Sequence, residues 1–177
     1  MSSIQDNEFL VKVGARGDHS LGPEDWDEGG FGKVRKILIS HGDAINSIQV
    51  GYFTDGSLVL AHRHGGSGDK FDCVNLESWE SLTMMKGYYG PLRGHHASVV
   101  RSLTFGTNAA TYGPFGIEQG TPFCFNIPSG VSFGGFHGRS DSSFLRAIGM
   151  HVKPMASYHY WPKPGWSNRP PGYYLPR

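Results

Sequence analysis

Four histidines are the residues whose type and spacing come nearest to chemistry. His62 and His64 stand two apart, as on one face of a strand, and His95 and His96 are adjacent. A zinc centre needs further Cys, His or carboxylate donors at characteristic intervals, and none stands at such an interval beside either pair. They read as exposed, hydrogen-bonding histidines. Gly138-Arg139-Ser140-Asp141-Ser142 has the makings of a turn, but it lacks the Gly-x-Ser-x-Gly elbow that activates a serine nucleophile. Gly65-Gly66-Ser67-Gly68-Asp69 has the composition of a phosphate cradle. The following Phe71-Asp72-Cys73-Val74-Asn75-Leu76 reads as a strand, so the helix N-terminus such a cradle requires is missing. Cys73 and Cys124 are too few for a disulfide framework or a zinc site and read as core thiols. No catalytic residue, metal or cofactor is expected. The chemistry points to a binding module with its site on glycine-rich loops carried by a rigid scaffold.

That scaffold is written in alternation. Ile37 and Ile39, then Ile48, Val50 and Tyr52, then Leu58 and Leu60 interleave apolar with polar or small residues, the period-two pattern of half-buried strands. Val74 and Leu76, Leu103 and Phe105, Phe123, Phe125 and Ile127, and Ile148, Met150 and Val152 continue it. Turn signals separate the runs, the sharpest being Thr54-Asp55-Gly56-Ser57 between two alternating segments, which predicts a tight hairpin. About eleven short strands and no amphipathic helix result, hence an all-β domain. Glycine pairs at Gly29-Gly30, Gly65-Gly66 and Gly134-Gly135 fit three sheets sharing one core. Trp26, Phe31 and Phe115 are assigned to that core.

Composition agrees. Of 177 residues 26 are glycine, against a usual share of about 7%. Charges nearly cancel, with 16 basic and 15 acidic residues, so no nucleic-acid surface is expected. No apolar run of membrane-spanning length is present, and the polar start lacks the features of a signal peptide. A cytoplasmic location follows as the expectation, with the nucleus as a second one. From Pro154 onward the character changes: six of the eleven prolines, six aromatic residues and no acidic residue lie there. This predicts an extended, polyproline-like tail able to dock on the domain or on a protein partner.

Longer motifs carry a resemblance. Val13-Gly14, Trp26-Asp27-Glu28-Gly29, Ile45-x-x-Ile48-Gln49-Val50-x-Tyr52-x-x-Asp55-Gly56, Gly87-Tyr88-Tyr89-Gly90, Arg101-Ser102-Leu103-Thr104-Phe105, Tyr112-Gly113-Pro114-Phe115-Gly116 and Gly135-Phe136-His137-Gly138-Arg139-Ser140 follow in order. Together they resemble the plant, mannose-type branch of the jacalin-related lectins. The resemblance implies a β-prism of three four-stranded antiparallel sheets over residues 9–154, flanked by an N-terminal extension, 1–8, and the tail, 155–177. It further implies a non-catalytic, metal-independent protein that binds mannose/glucose-type or related glycans and glycoproteins. Plant defence or stress response and homodimerisation through outer strands are implied as well.

In the mannose-type members the sugar is held by a Gly-x-x-x-Asp loop before the last strand and by a glycine pair in the first loop. The resemblance therefore assigns carbohydrate binding to Gly17, Asp18, Tyr89, Asp141, Ser142, Ser143, Phe144, Leu145 and Arg146. Anchored on Phe144-Leu145, the accepting aspartate's position holds Arg146, a residue longer loop has lost its glycine to Asp141 or Ser142, and Asp18 replaces the second glycine of the first loop. A guanidinium only donates, and losing charge-assisted bonds of about 1.5–3 kcal/mol would erase a millimolar monosaccharide complex. Weakened or altered specificity is expected. Asp141 could swing in as acceptor, Asp18 could supply one from the neighbouring loop, or Arg146 could select an anionic glycan. The same departures suit a lectin fold that has lost sugar binding and serves protein interaction, with Arg146 paired to Asp141 or Asp18.

Overall fold

The structure, a computed structural model, describes residues 9–154. The N-terminal extension and the C-terminal tail, with the docking role expected of it, lie outside the described residues. Among those described, the chain is all strand and loop, and no helix is long and apolar enough to cross a membrane. Thirteen strands form three antiparallel sheets, two more strands than alternation suggests.

The first sheet has the order β1 (Val11–Gly17), β13 (Leu145–Pro154), β12 (Val131–Ser140), β2 (Glu24–Asp27). The second runs β10 (Thr111–Gly116), β9 (Ser98–Thr107), β8 (Leu82–Pro91), β11 (Thr121–Asn126). The third runs β5 (Ser57–Leu60), β4 (Ile45–Thr54), β3 (Lys33–His41), β7 (Lys70–Asn75), and the two-residue β6 (His64–Gly65) adds to β4 beyond β5. Each sheet thus has the four expected strands, with β6 as a supplement. The inner faces meet in one core, where Ile37, Ile39, Ile48, Val50, Leu103, Phe105, Phe136 and Ile148 are wholly buried. All of these but Phe136 are alternating positions of the sequence, which is why the pattern identifies an all-β domain.

Phase is harder to read than period. Cys73 and Cys124 are exposed free thiols rather than core residues, because their strands turn Val74 and Phe125 inward and the neighbouring positions outward. Phe31 is 47% exposed on the Gly29–Gly32 turn, set edge-on against Tyr52, while Trp26 and Phe115 pack on the core as expected. Leu58 and Leu60 alternate as read, yet β5 is an edge strand and both stay half-exposed.

A buried polar staple ties the first sheet to the third. Glu28, 2% exposed, follows β2 and accepts the Tyr52 hydroxyl at 2.5 Å and His64 Nε2 at 2.8 Å. His64 in turn stacks flat on Trp26, ring centroids 3.9 Å apart. Burial, together with the Glu28 carboxyl, pushes the Tyr52 hydroxyl well above its usual range, so it stays a donor. His64 is thus a structural, largely buried residue, not the exposed histidine that its spacing suggests. Gly135 sustains the adjoining turn: its φ is +126°, and a Cβ there would collide with the Glu28 carbonyl.

A second cluster sits on the outer face of the first sheet. Asp27 accepts Lys12 Nζ at 2.9 Å, the Gly29 amide at 2.9 Å and His151 Nε2 at 2.6 Å. Partial burial pushes its carboxyl up, but Lys12, the Gly29 amide and His151 outweigh this and leave its pKa at about 2. A carboxyl depressed on folding contributes stability above its unfolded pKa of about 4 and loses it as pH falls through the folded value. The urea midpoint is therefore expected to hold from about pH 7 to 5 and to decline between about pH 4 and 2. Asp27→Asn should remove part of that decline, only about 1 kcal/mol because Asp27 is 45% exposed and screened. An acid profile identical to the parent's would refute this role.

Candidate functional site

One end of the prism gathers loops from all three sheets, and a single buried arginine fastens three of them. Arg101 on β9 donates from Nε to the Asp43 carbonyl, from Nη1 to the Pro91 carbonyl and from Nη2 to Gln119 Oε1, each at 3.0 Å. The loops β3–β4, β8–β9 and β10–β11 are thereby fixed around the β12–β13 hairpin, whose tip is the Asp141–Arg146 loop. Arg139 on β12 does the same for the first loop, donating to the carbonyls of Asp18, Ser20 and Pro23 and to Asp25 Oδ1.

The hairpin tip is bonded to itself. Asp141 Oδ1 accepts the amides of Ser143 and Phe144, both at 2.8 Å. Its Oδ2 accepts Arg146 Nε at 2.6 Å, and Arg146 Nη2 stands 2.5 Å from the same oxygen as an ion-pair contact. Arg146 Nη1 reaches the Ser98 carbonyl at 3.2 Å, and its guanidinium lies 5.9 Å from the Phe144 ring centroid. A carboxylate offers about four lone-pair sites; three accept hydrogen bonds here, and the Arg146 guanidinium stands against the fourth as an ion pair. Burial pushes the Asp141 carboxyl up, but the two amides and Arg146 more than compensate and hold it below its ordinary range, so the pair stays ionised at neutral pH. The Asp141 and Arg146 side chains are only 28% and 17% exposed, which strengthens the pair relative to one in open solvent.

The floor of this loop comes from the third sheet. Asn46 Nδ2 donates to the Ser143 carbonyl at 3.3 Å, and Gly66 lies so close that a Cβ would meet the Ser142 carbonyl oxygen and the Ser143 backbone. Gly65 permits that approach with a φ of +110°. The glycine pair that resembles a phosphate cradle in composition is thus the packing surface beneath the hairpin tip. Asn46, Gly66, Ser98, Arg101 and Arg139 are the site residues that sequence reasoning misses. Of these Gly66 stood out as half of a glycine pair and Arg101 and Arg139 within longer motifs, none of them with a role at the site, while Asn46 and Ser98 gave no local signal.

The first loop abuts the second: the Asp18 amide donates to the Arg146 carbonyl at 2.9 Å. Gly17, with φ +138°, allows it, since a Cβ would strike that same carbonyl. The Asp18 carboxyl accepts only Ser20, through its amide at 2.8 Å and its hydroxyl at 2.9 Å. Burial raises its pKa, but both Ser20 bonds and the fields of Arg146 and Arg139 lower it further, so it is ionised with two lone-pair sites unused. The structure therefore brings Gly17, Asp18 and the Asp141–Arg146 loop together. Tyr89 packs toward the core, its ring 6.3 Å from Phe123, and no hydrogen bond links it to either loop. Leu145 is wholly buried and anchors the start of β13.

Chemically, the hairpin tip keeps no free carboxylate and no free Ser143 or Phe144 amide, and its Ser142 and Ser143 side chains are exposed. Arg146 donates through Nε and Nη1 and keeps three of its five N–H donors, on a guanidinium already neutralised by Asp141. The carboxylate that keeps unused accepting sites here is Asp18. Among the described residues no group of three His, Cys, Asp or Glu side chains is placed to hold a metal.

Known proteins share this architecture. Over 145 residues the chain is 41% identical to Jacalin-related lectin 3 of Arabidopsis thaliana, an alignment that takes in 77% of this chain and 24% of that protein. It is 40% identical over 153 residues to Protein RESTRICTED TEV MOVEMENT 1 of the same plant, covering 81% of this chain and 87% of that one. A mannose-specific jacalin-related lectin from Morus nigra, solved in complex with mannose, superposes with a TM-score of 0.75 at 36% identity, covering 86% of this chain and 99% of that one. Residues 8–151 match the Jacalin-like lectin domain, and with the three-sheet prism and the paired end loops already described, the chain belongs to that carbohydrate-binding family.

Proposed function

We propose that this protein is a non-catalytic lectin that binds mannose/glucose-type or related neutral glycans, with its specificity moved from the hairpin tip to the first loop. The observation that carries this reading is the closure of Asp141: with Oδ1 bonded to the Ser143 and Phe144 amides and Oδ2 held by the Arg146 guanidinium, its carboxylate is turned into the loop and away from a sugar hydroxyl. Asp18 beside it is ionised and half-committed, and so takes over the acceptor's task. An anionic glycan is disfavoured, since Arg146 is already paired and Asp18 adds negative charge. The chain acts on glycoproteins or free glycans in the cytoplasm or nucleus, in plant defence or stress response.

The test is a glycan array combined with titration by mannose, glucose and oligomannose. Monosaccharide affinity is expected to be weaker than about 10 mM, with oligomannose or a related neutral glycan giving the stronger signal and Asp18→Asn abolishing it. Binding lost through Asp141→Asn and unaffected by Asp18→Asn would contradict the assignment. Silence across the whole array would favour the second reading, a lectin fold serving protein interaction, which the closure of the hairpin tip also suits.

A further inference from the structure

The pole of the prism opposite the hairpin tip holds a second concave site. Val131 pairs with Pro154 at the far end of the hairpin that the Asp141–Arg146 loop closes. Two ten-residue strands at about 3.3 Å per residue set these ends about 30 Å apart. At the far pole the starts of β3, β8 and β12 and the end of β13 surround a cavity of about 600 Å³. Leu10, Val34, Leu82, Ile127, Val131 and Phe133 give it apolar walls. Val34 and Leu82 are buried, and the other four keep part of their surface in solvent. Two glycines seat Leu10: a Cβ on Gly134 would stand 2.9 Å from its Cδ2, and one on Gly30 3.7 Å from its Cδ1. Lys33 donates its ammonium to the Ser78 carbonyl at 2.6 Å and leaves its methylene stem to the wall. Ser81, Thr83 and Ser129 add hydroxyls. An apolar concavity with a few polar groups around it is the usual form of a binding site, and aromatic side chains are the anchors such pockets hold best.

The chain itself supplies an occupant of that chemistry. Residues 155–177 leave from Pro154, and Lys153 before it lines the cavity. Trp161 stands seven positions past Pro154, a length of chain that spans at most about 25 Å at about 3.5 Å per residue, enough to turn back into a site at its root. We propose that Tyr160-Trp161-Pro162 of the same chain fills this cavity, the two rings against Ile127, Val131 and Phe133 and their O–H and N–H on the wall hydroxyls. Pro162 and Pro164 carry no N–H, so this stretch enters an apolar site with fewer donors to desolvate. The N-terminal extension also starts at this pole, but it has only Met1 and Ile4 as apolar side chains and carries Asp6 and Glu8, which resist burial. The tail of another molecule has the same chemistry. A tether of a few residues gives the chain's own tail an effective concentration of about millimolar, which favours docking within one copy. The glycan-facing loops, at the other pole, stay uncovered, so this site stands or falls separately from sugar binding.

NMR of the intact, methyl-labelled chain tests this. Nuclear Overhauser contacts are expected from the Trp161 indole to the methyls of Ile127 and Val131. Tyr160→Ser combined with Trp161→Ser should abolish the ring-current shifts of those methyls while the hairpin-tip amides stay in place. A synthetic peptide of residues 155–166, added at millimolar concentration, should restore the shifts in that variant. Methyl resonances identical in parent and variant, or a peptide without effect on the variant, would overturn the inference. So would contacts to those methyls from Met1 or Ile4 in place of Trp161, or, in an equal mixture of labelled and unlabelled chains, contacts made only between copies.

Discussion

Asp141→Gly combined with Arg146→Asp and deletion of Ser142 is expected to bind mannose with a Kd of about 1 mM, against more than about 100 mM for the parent chain. The change does three things at once. It removes the carboxylate that occupies the Ser143 and Phe144 amides, frees those amides for sugar oxygens, and restores an acceptor at position 146. A hundredfold gain corresponds to about 2.7 kcal/mol, the value of one or two charge-assisted hydrogen bonds net of desolvation. The single changes discriminate between causes. Asp141→Gly alone opens the amides but leaves an unpaired guanidinium at the mouth, and Arg146→Asp alone sets two carboxylates together while the amides stay occupied. Neither should approach the combined variant in isothermal titration. Equal binding by Arg146→Asp alone would mean that Asp141 does not close the loop.

The second large effect concerns the scaffold. Glu28→Ala is expected to cost about 3–5 kcal/mol, because it strands a buried tyrosine hydroxyl and a buried imidazole that have no other carboxyl partner. For a chain of this size that is a fall in Tm of about 10 °C. The damage should centre on the contact between first and third sheets, since Tyr52 also receives the Phe136 amide at 3.5 Å and His64 stacks on Trp26. Tyr52→Phe removes one donor from the same staple and should cost less. A urea midpoint for Glu28→Ala within about 1 kcal/mol of the parent would show that the three sheets are held by apolar packing alone.

The fold was legible because its signals are local. Ile37 and Ile39, Ile48 and Val50, Leu103 and Phe105 alternate within single strands, and the turn at Asp55-Gly56 closes a hairpin whose partners are neighbours in sequence. Errors arose where alternation gives a period without a direction. Cys73 and Cys124 fall on outward positions, Leu58 and Leu60 on an edge, and Phe31 on a turn whose geometry the sequence does not announce. In the site, the family resemblance located the two loops, and the donor-only chemistry of Arg146 marked the departure. Whether Asp141 or Asp18 would take Arg146 depended on side-chain geometry, and Asp141, five positions earlier in the chain, is the partner. The supports were invisible for a different reason. Asn46 and Ser143 are 97 positions apart, and Arg101 reaches 58 residues back to Asp43, so no spacing rule connects them.

Titration of the 15N-labelled unaltered chain with mannose and oligomannose, followed through backbone amide shifts, tests the closed hairpin tip most directly. The amides of Ser143 and Phe144 should stay at their free positions up to about 50 mM sugar, while those of Gly17 and Asp18 move with oligomannose. Saturable shifts at Ser143 and Phe144 in the unaltered chain would contradict the account, because a sugar would then be displacing the Asp141 carboxylate that holds them.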